Sequence, residues 1–154
     1  MIDEPKAVRD GEALDVDALA AWLEVEPGSI EVLQFPAGYS NLTYMLKVGE
    51  RELVLRRPPF GDTVATGHDM HREFSVLSKL APVYPLAPSP VGYCEDPAIL
   101  GAPFYVMQRL RGAIIRRRPP KGMAIDPERA RALSTALIDG LAELHGIDWQ
   151  AIGL

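Results

Sequence analysis

The sequence predicts an α+β fold: five strands in an antiparallel sheet, one helix inserted before the last two strands, and one long helix after them. Three observations carry this expectation. Up to residue 110, short apolar runs alternate with turns rich in Gly and Pro. Over 69–80 the apolar period changes from two to about 3.6 residues. Asp126-Pro127-Glu128 then combines an N-cap, a helix-opening proline and a first-turn acid.

Each element has its own local reason. Asp15 caps a short amphipathic helix that buries Leu19, Trp22 and Leu23 and stops at Pro27-Gly28. Residues 30–35 read as a strand, followed by the turn formers Pro36-Ala37-Gly38-Tyr39-Ser40-Asn41. A second strand, 42–48, puts Leu42, Tyr44, Leu46 and Val48 on one face and Thr43, Met45 and Lys47 on the other. Gly49-Glu50 turns the chain into a third strand, 52–57, which Pro58-Pro59 ends. The helix over 69–80 carries Met70, Phe74, Leu77 and Leu80 on one side. After a Pro-rich connection, 91–94 and 103–110 read as strands four and five, paired as a hairpin across a turn at Glu95-Asp96-Pro97. The last helix presents Leu133, Leu137, Leu141 and Leu144 on one face and ends at His145-Gly146.

Composition narrows the function classes. The chain has 154 residues, 47% hydrophobic and 24% charged, which is ordinary for a globular domain. No run of 18 apolar residues occurs, and the start Met-Ile-Asp-Glu-Pro-Lys lacks the apolar segment of a signal peptide. The single cysteine, Cys94, predicts neither an internal disulfide nor a cysteine metal site. A net charge of −5 argues against general nucleic-acid binding. A reduced, cytoplasmic protein with no membrane or nucleic-acid partner is expected. The charge is uneven, however: Arg109, Arg111, Arg116, Arg117, Arg118 and Lys121 form a basic stretch with no acid between them. Such runs are usually solvated loops, and an anionic ligand is the alternative.

Glu73 is the residue with most to say about chemistry. On a helical wheel it falls between Leu77 and Leu80, inside the stripe that faces the sheet. A buried carboxylate needs a cation. The third strand offers Arg56, on the same face as Val54, whereas Leu53, Leu55 and Arg57 share the other. If fully buried, such a pair costs about 3–5 kcal/mol when one partner is removed. A core ion pair is the plain reading. The order of parts suggests another: a turn-rich loop at Gly38, Ser40 and Asn41, a cation on the next strand but one, and a glutamate on the following helix match the phosphate-holding elements of a kinase.

The sequence resembles the N-terminal half of the aminoglycoside phosphotransferase and choline kinase-like family, nearest the branch found fused to acyl-CoA dehydrogenases. The residues that carry the resemblance are Gly38-Tyr39-Ser40-Asn41-Leu42-Thr43-Tyr44, Leu53-Val54-Leu55-Arg56-Arg57-Pro58-Pro59, His71-Arg72-Glu73-Phe74, and Leu100-Gly101-Ala102-Pro103-Phe104-Tyr105-Val106-Met107. It implies a protein-kinase-like N-terminal lobe over 1–110, followed by a hinge exit and the first helical part of a C-terminal lobe over 111–154. It further implies ATP and Mg2+ as cofactors, with the metal ligands outside these residues, and a small-molecule hydroxyl acceptor, more in keeping with a hydroxyacyl compound than an antibiotic. Gly38, Ser40 and Asn41 would form the phosphate loop, and Arg56 would replace the usual strand-three lysine with Glu73 as its partner. Met107, Gln108 and Arg109 would be the hinge, with Val54, Met107 and Leu110 as apolar surface around the base.

One departure weighs against catalysis by this chain. The family's His-Gly-Asp…Asn loop and following metal-binding Asp are missing; His145-Gly146-Ile147-Asp148 has its Asp one position late and reads as a helix end. Two readings therefore follow: the ATP-binding portion of a phosphotransferase, or a non-catalytic kinase-lobe interaction module. A metal site at His68 and His71, and a nucleophilic Cys94, are disfavoured because further ligands and a neighbouring base are lacking.

Overall fold

In a computed structural model, residues 4–36, 41–61, 69–115, 119–120 and 122–154 are described. The order is α1 (Val16–Trp22), β1 (Ile30–Gln34), β2 (Leu42–Val48), β3 (Arg51–Arg57), α2 (Met70–Leu80), β4 (Pro90–Cys94), α3 (Pro97–Leu100), β5 (Phe104–Gln108) and α4 (Pro127–His145). The strands form one five-stranded antiparallel sheet in the order β1-β2-β3-β5-β4. The expected α+β architecture is therefore present, and its helix starts follow the expected chemistry. Asp15, Asp69 and Asp126 each accept a hydrogen bond from the backbone N–H three residues on.

One element differs from expectation. Strands β4 and β5 pair antiparallel, but their connection is not a hairpin turn: Asp96 caps the one-turn helix α3, with Pro97 at its start and Gly101 at φ 81° ending it. Asp96-Pro97 repeats the Asp126-Pro127 signal, but a four-residue helix is too short to show a period. Strand β5 also ends at Gln108 instead of 110.

Alternation along the strands makes two unlike faces. Leu42, Tyr44, Leu46, Leu53, Leu55, Phe104 and Val106 form a buried core with Leu19 and Ala20 of α1 and Leu100 of α3. Trp22 packs edge-on to Phe104, with ring centroids 4.8 Å apart. Its indole also fixes Gly92 in β4, where an added Cβ would lie 2.9 Å from the ring. The segment before α1, to which no element was assigned from the sequence, joins this side. Lys6 and Gln34 exchange two backbone hydrogen bonds of 2.8 Å, and the Tyr44 hydroxyl donates to the Glu12 carbonyl at 2.8 Å.

On the opposite face α2 lies over β4 and β5. Phe74 stacks on Tyr93 at 5.6 Å, His71 meets the same ring edge-on at 5.4 Å, and Phe74 tilts against Tyr105 at 6.4 Å. Part of this face, around Phe35, Thr43, Val54 and Arg56, stays open as a hollow. Helix α4 stands apart from both layers. The Tyr84 hydroxyl donates to the Gly140 carbonyl at 2.9 Å, yet α4 has no buried residue and Leu133, Leu137 and Leu141 are exposed. Among the described residues no helix is long and apolar enough to cross a membrane.

Candidate functional site

The strand register arranges the open face in rows. Thr43, Arg56 and Tyr105 lie side by side across β2, β3 and β5; Met45, Val54 and Met107 form the next row. Lys47 and Glu52 follow, and beyond β5 the Arg109 N–H donates to the Glu52 carbonyl at 3.4 Å. Beneath these rows is a hollow of about 430 Å³ whose lining includes Phe35, Val54, Arg56, Met107 and Leu110. An apolar ceiling whose lining also includes Arg56, Arg109 and Arg111 suits a flat apolar group carrying an anion.

The cation is held as its alternation implied. Arg56 Nε donates to Glu73 Oε2 at 3.0 Å and Nη2 to Oε1 at 3.3 Å, a two-point ion pair between β3 and α2. Its burial is less than expected from the helical wheel. The two side chains keep 30% and 32% of their exposure. The stability cost of breaking the pair therefore falls from the fully buried range to about 1–2 kcal/mol.

Two more donors converge on Glu73. Asn41 Nδ2 reaches Oε1 at 3.0 Å, and the Tyr105 hydroxyl reaches Oε2 at 2.8 Å. Burial, then the hydrogen bond to Glu73, raise the Tyr105 phenol well above its ordinary value, so it stays a donor at any physiological pH. Asn41 is thus turned toward the carboxylate. Gly38 and Ser40, assigned with it to a phosphate loop, lie outside the described residues, as do His68, Arg116, Arg117, Arg118 and Lys121.

The exit from β5 is partly committed. Gln108 N–H donates to the Ser89 carbonyl at 2.8 Å, and the Arg109 amide goes to Glu52. Among the described residues no backbone bond uses the Leu110 N–H, which sits at the mouth of the hollow. The Arg109 side chain is 8% exposed and donates to Glu52 Oε2 at 3.0 Å; Arg111 donates to both Glu52 oxygens, at 2.8 and 2.5 Å. These two members of the basic stretch are paired with an acid; Arg109 is buried by the pairing, whereas Arg111 stays 69% exposed in an irregular segment, as a solvated loop would have it. The hydrogen bond from Arg111, reinforced by the Arg109 charge, holds the Glu52 carboxyl below the ordinary carboxylate range. A carboxyl with a lowered folded pKa stabilises above its unfolded value of about 4.3 and loses that contribution as pH falls through the folded value. Glu52→Gln is therefore expected to flatten the acid limb of the Tm-against-pH curve below that value; an unchanged limb would show that the cluster contributes nothing to folding.

Two residues escaped the sequence reading as partners. Tyr105 reads as a core aromatic within β5. Alternation put Arg57 on one face with Leu53 and Leu55, but its burial was not foreseen: it is 2% exposed and donates to the carbonyls of Leu100 at 2.7 Å and Pro58 at 3.0 Å. Its guanidinium also lies 3.6 Å from the centroid of the Phe60 ring. Elsewhere, Cys94 is buried, and burial pushes its thiol up, which makes it a poor nucleophile. Asp148 accepts from the Ala151 N–H at 3.0 Å, so the tetrapeptide at the end of α4 is local capping. Among the described residues no group of three or more His, Cys, Asp or Glu is placed to hold a metal ion.

A sheet of this order with a helix glutamate paired to a third-strand cation belongs to the protein-kinase-like class. A crystal structure from Ralstonia eutropha assigned to the aminoglycoside phosphotransferases superposes with a TM-score of 0.73 at 29% identity, over 92% of this chain and 41% of that one. The sequence pattern described as "Phosphotransferase enzyme family" matches residues 31–154, and the chain belongs to that family. Mouse acyl-CoA dehydrogenase family member 10 is 34% identical over 158 residues, covering 99% of this chain and 15% of its own length. Chicken acyl-CoA dehydrogenase family member 11 is 36% identical over 128 residues, covering 82% of this chain and 16% of its own. The chain thus spans less than a fifth of the length of these relatives.

Proposed function

We propose that this chain is the ATP-binding portion of a phosphotransferase that moves the ATP γ-phosphate to the hydroxyl of a small molecule. The observation that carries the reading is the Arg56–Glu73 pair at the inner end of the hollow. The carboxylate takes the Nε–Nη2 edge of the guanidinium, and among the described residues no hydrogen bond uses Nη1. That group is left for phosphate oxygens, which arginine binds well through its planar fork. The base would lie under Val54 and Met107, its edge read by the Gln108 carbonyl and the Leu110 N–H. Gly38, Ser40 and Asn41 would close the loop over the phosphates. In this reading residues 1–110 make the nucleotide lobe and 111–154 begin a second lobe. Phosphoryl transfer and Mg2+ binding would need residues beyond those discussed, because no His-Gly-Asp…Asn loop occurs in the sequence. The second reading is a kinase lobe that acts through protein contacts.

Nucleotide protection separates the two readings. With ATP at tenfold its Kd, the chain should gain about 1.4 kcal/mol, a Tm rise of roughly 3–6 °C for a chain of this size. Arg56→Ala should remove the rise. No rise with millimolar ATP in the unaltered chain would favour the interaction module.

A further inference from the structure

We infer that the Tyr105 hydroxyl is a positioning group that holds the Glu73 carboxylate on the Nε–Nη2 edge of Arg56 and so turns Nη1 into the hollow. The inference rests on the nucleotide reading given above.

A guanidinium offers a carboxylate more than one edge: Nε with Nη2, or the two Nη groups together. If Glu73 took the second, both terminal nitrogens would be occupied and Arg56 would present neither of them to the hollow. The pair alone has no reason to prefer the first arrangement. What decides it is the demand on the carboxylate oxygens. Each accepts two hydrogen bonds: Oε1 from Arg56 Nη2 and Asn41 Nδ2, Oε2 from Arg56 Nε and the Tyr105 hydroxyl. The carboxylate plane is therefore fixed from both sides.

Tyr105 is the more rigid of the two outer donors. It stands directly opposite Arg56 in the β3–β5 register, is 2% exposed, and its ring is tilted against Phe74. Its hydroxyl has little freedom to follow the carboxylate elsewhere. It is also absent from the lining of the hollow, so its influence on a ligand there would pass through Glu73 and Arg56.

Tyr105→Phe keeps the ring and deletes only the donor. Calorimetric titration of the variant is expected to show the Kd for ATP raised about five- to tenfold, while adenosine, which lacks phosphates, binds as to the unaltered chain. In an Arg56→Ala background the second substitution should add nothing to the loss. A role in packing alone predicts equal weakening of ATP and adenosine and additive losses, and either result would overturn the inference. A readout independent of nucleotide is the Arg56 side-chain Nε–H resonance. It should be protected from exchange in the unaltered chain and lose that protection in Tyr105→Phe, with the backbone spectrum unchanged. If ATP fails to bind the unaltered chain, the nucleotide reading falls; retained Nε–H protection in the variant would then defeat the positioning role separately.

Discussion

Arg57→Met is expected to destabilise the chain by roughly 3 kcal/mol, the largest loss of any single substitution considered. Methionine fills much of the volume and removes the charge, so the loss reports the hydrogen bonds together with the contact to the Phe60 ring. Without Arg57, the Leu100 carbonyl at the end of α3 and the Pro58 carbonyl after β3 are left buried without their donor. Hydrogen bonds from a charged donor contribute about 1.5–3 kcal/mol each, and the burial of the guanidinium, which lowers its pKa without discharging it, offsets part of that sum. Among the described residues no carboxylate lies within ion-pair distance of Arg57; its direct partners are the two carbonyls and the Phe60 ring, with the Glu12 charge acting at longer range. Urea unfolding measures the effect. A loss under about 1 kcal/mol would mean that water reaches both carbonyls in the variant.

Glu73→Ala is expected to separate binding from stability. Because the Arg56–Glu73 pair retains about a third of its exposure, the fold should lose only about 1–2 kcal/mol. Binding should suffer more, since Arg56 then has no fixed edge and the Asn41 and Tyr105 donors lose their common acceptor. ATP affinity is expected to fall at least about tenfold, equivalent to 1.4 kcal/mol. Thermal unfolding and nucleotide titration on the same variant give both quantities. A stability loss above about 4 kcal/mol with little change in affinity would return the pair to a purely structural role.

The legible parts of this fold are those set by short-range pattern. Strand β2 alternates Leu42, Tyr44 and Leu46 against Thr43, Met45 and Lys47, and its two faces follow directly. Glu73 stood out as a charge inside the apolar stripe of its helix, and Arg56 as a cation on a largely apolar strand. Helix α3 was not legible, since its four residues hold no period and its capping pair looks like a turn. Tyr105 was hidden for another reason: an aromatic in an apolar strand satisfies every pattern rule, and its partner is 32 residues away in sequence. The degree of exposure of Glu73 was equally out of reach, because it depends on how far α2 extends across the sheet. Arg57 is the instructive case, for alternation placed it with Leu53 and Leu55, and a cation on that face already announced a demand for buried acceptors.

The pairing of Lys6 with Gln34 bears on how the molecule avoids its own kind. Strands β1 and β4 are the sheet's two borders, where unpaired backbone groups invite a strand from another molecule. At the Gln34 end of β1 the N-terminal segment already occupies that position. Along β4, Pro90 presents no N–H and the register breaks between Pro90 and Gly92. Both borders are poor templates for a foreign strand, a safeguard against edge-to-edge aggregation that lies partly in residues preceding the family match.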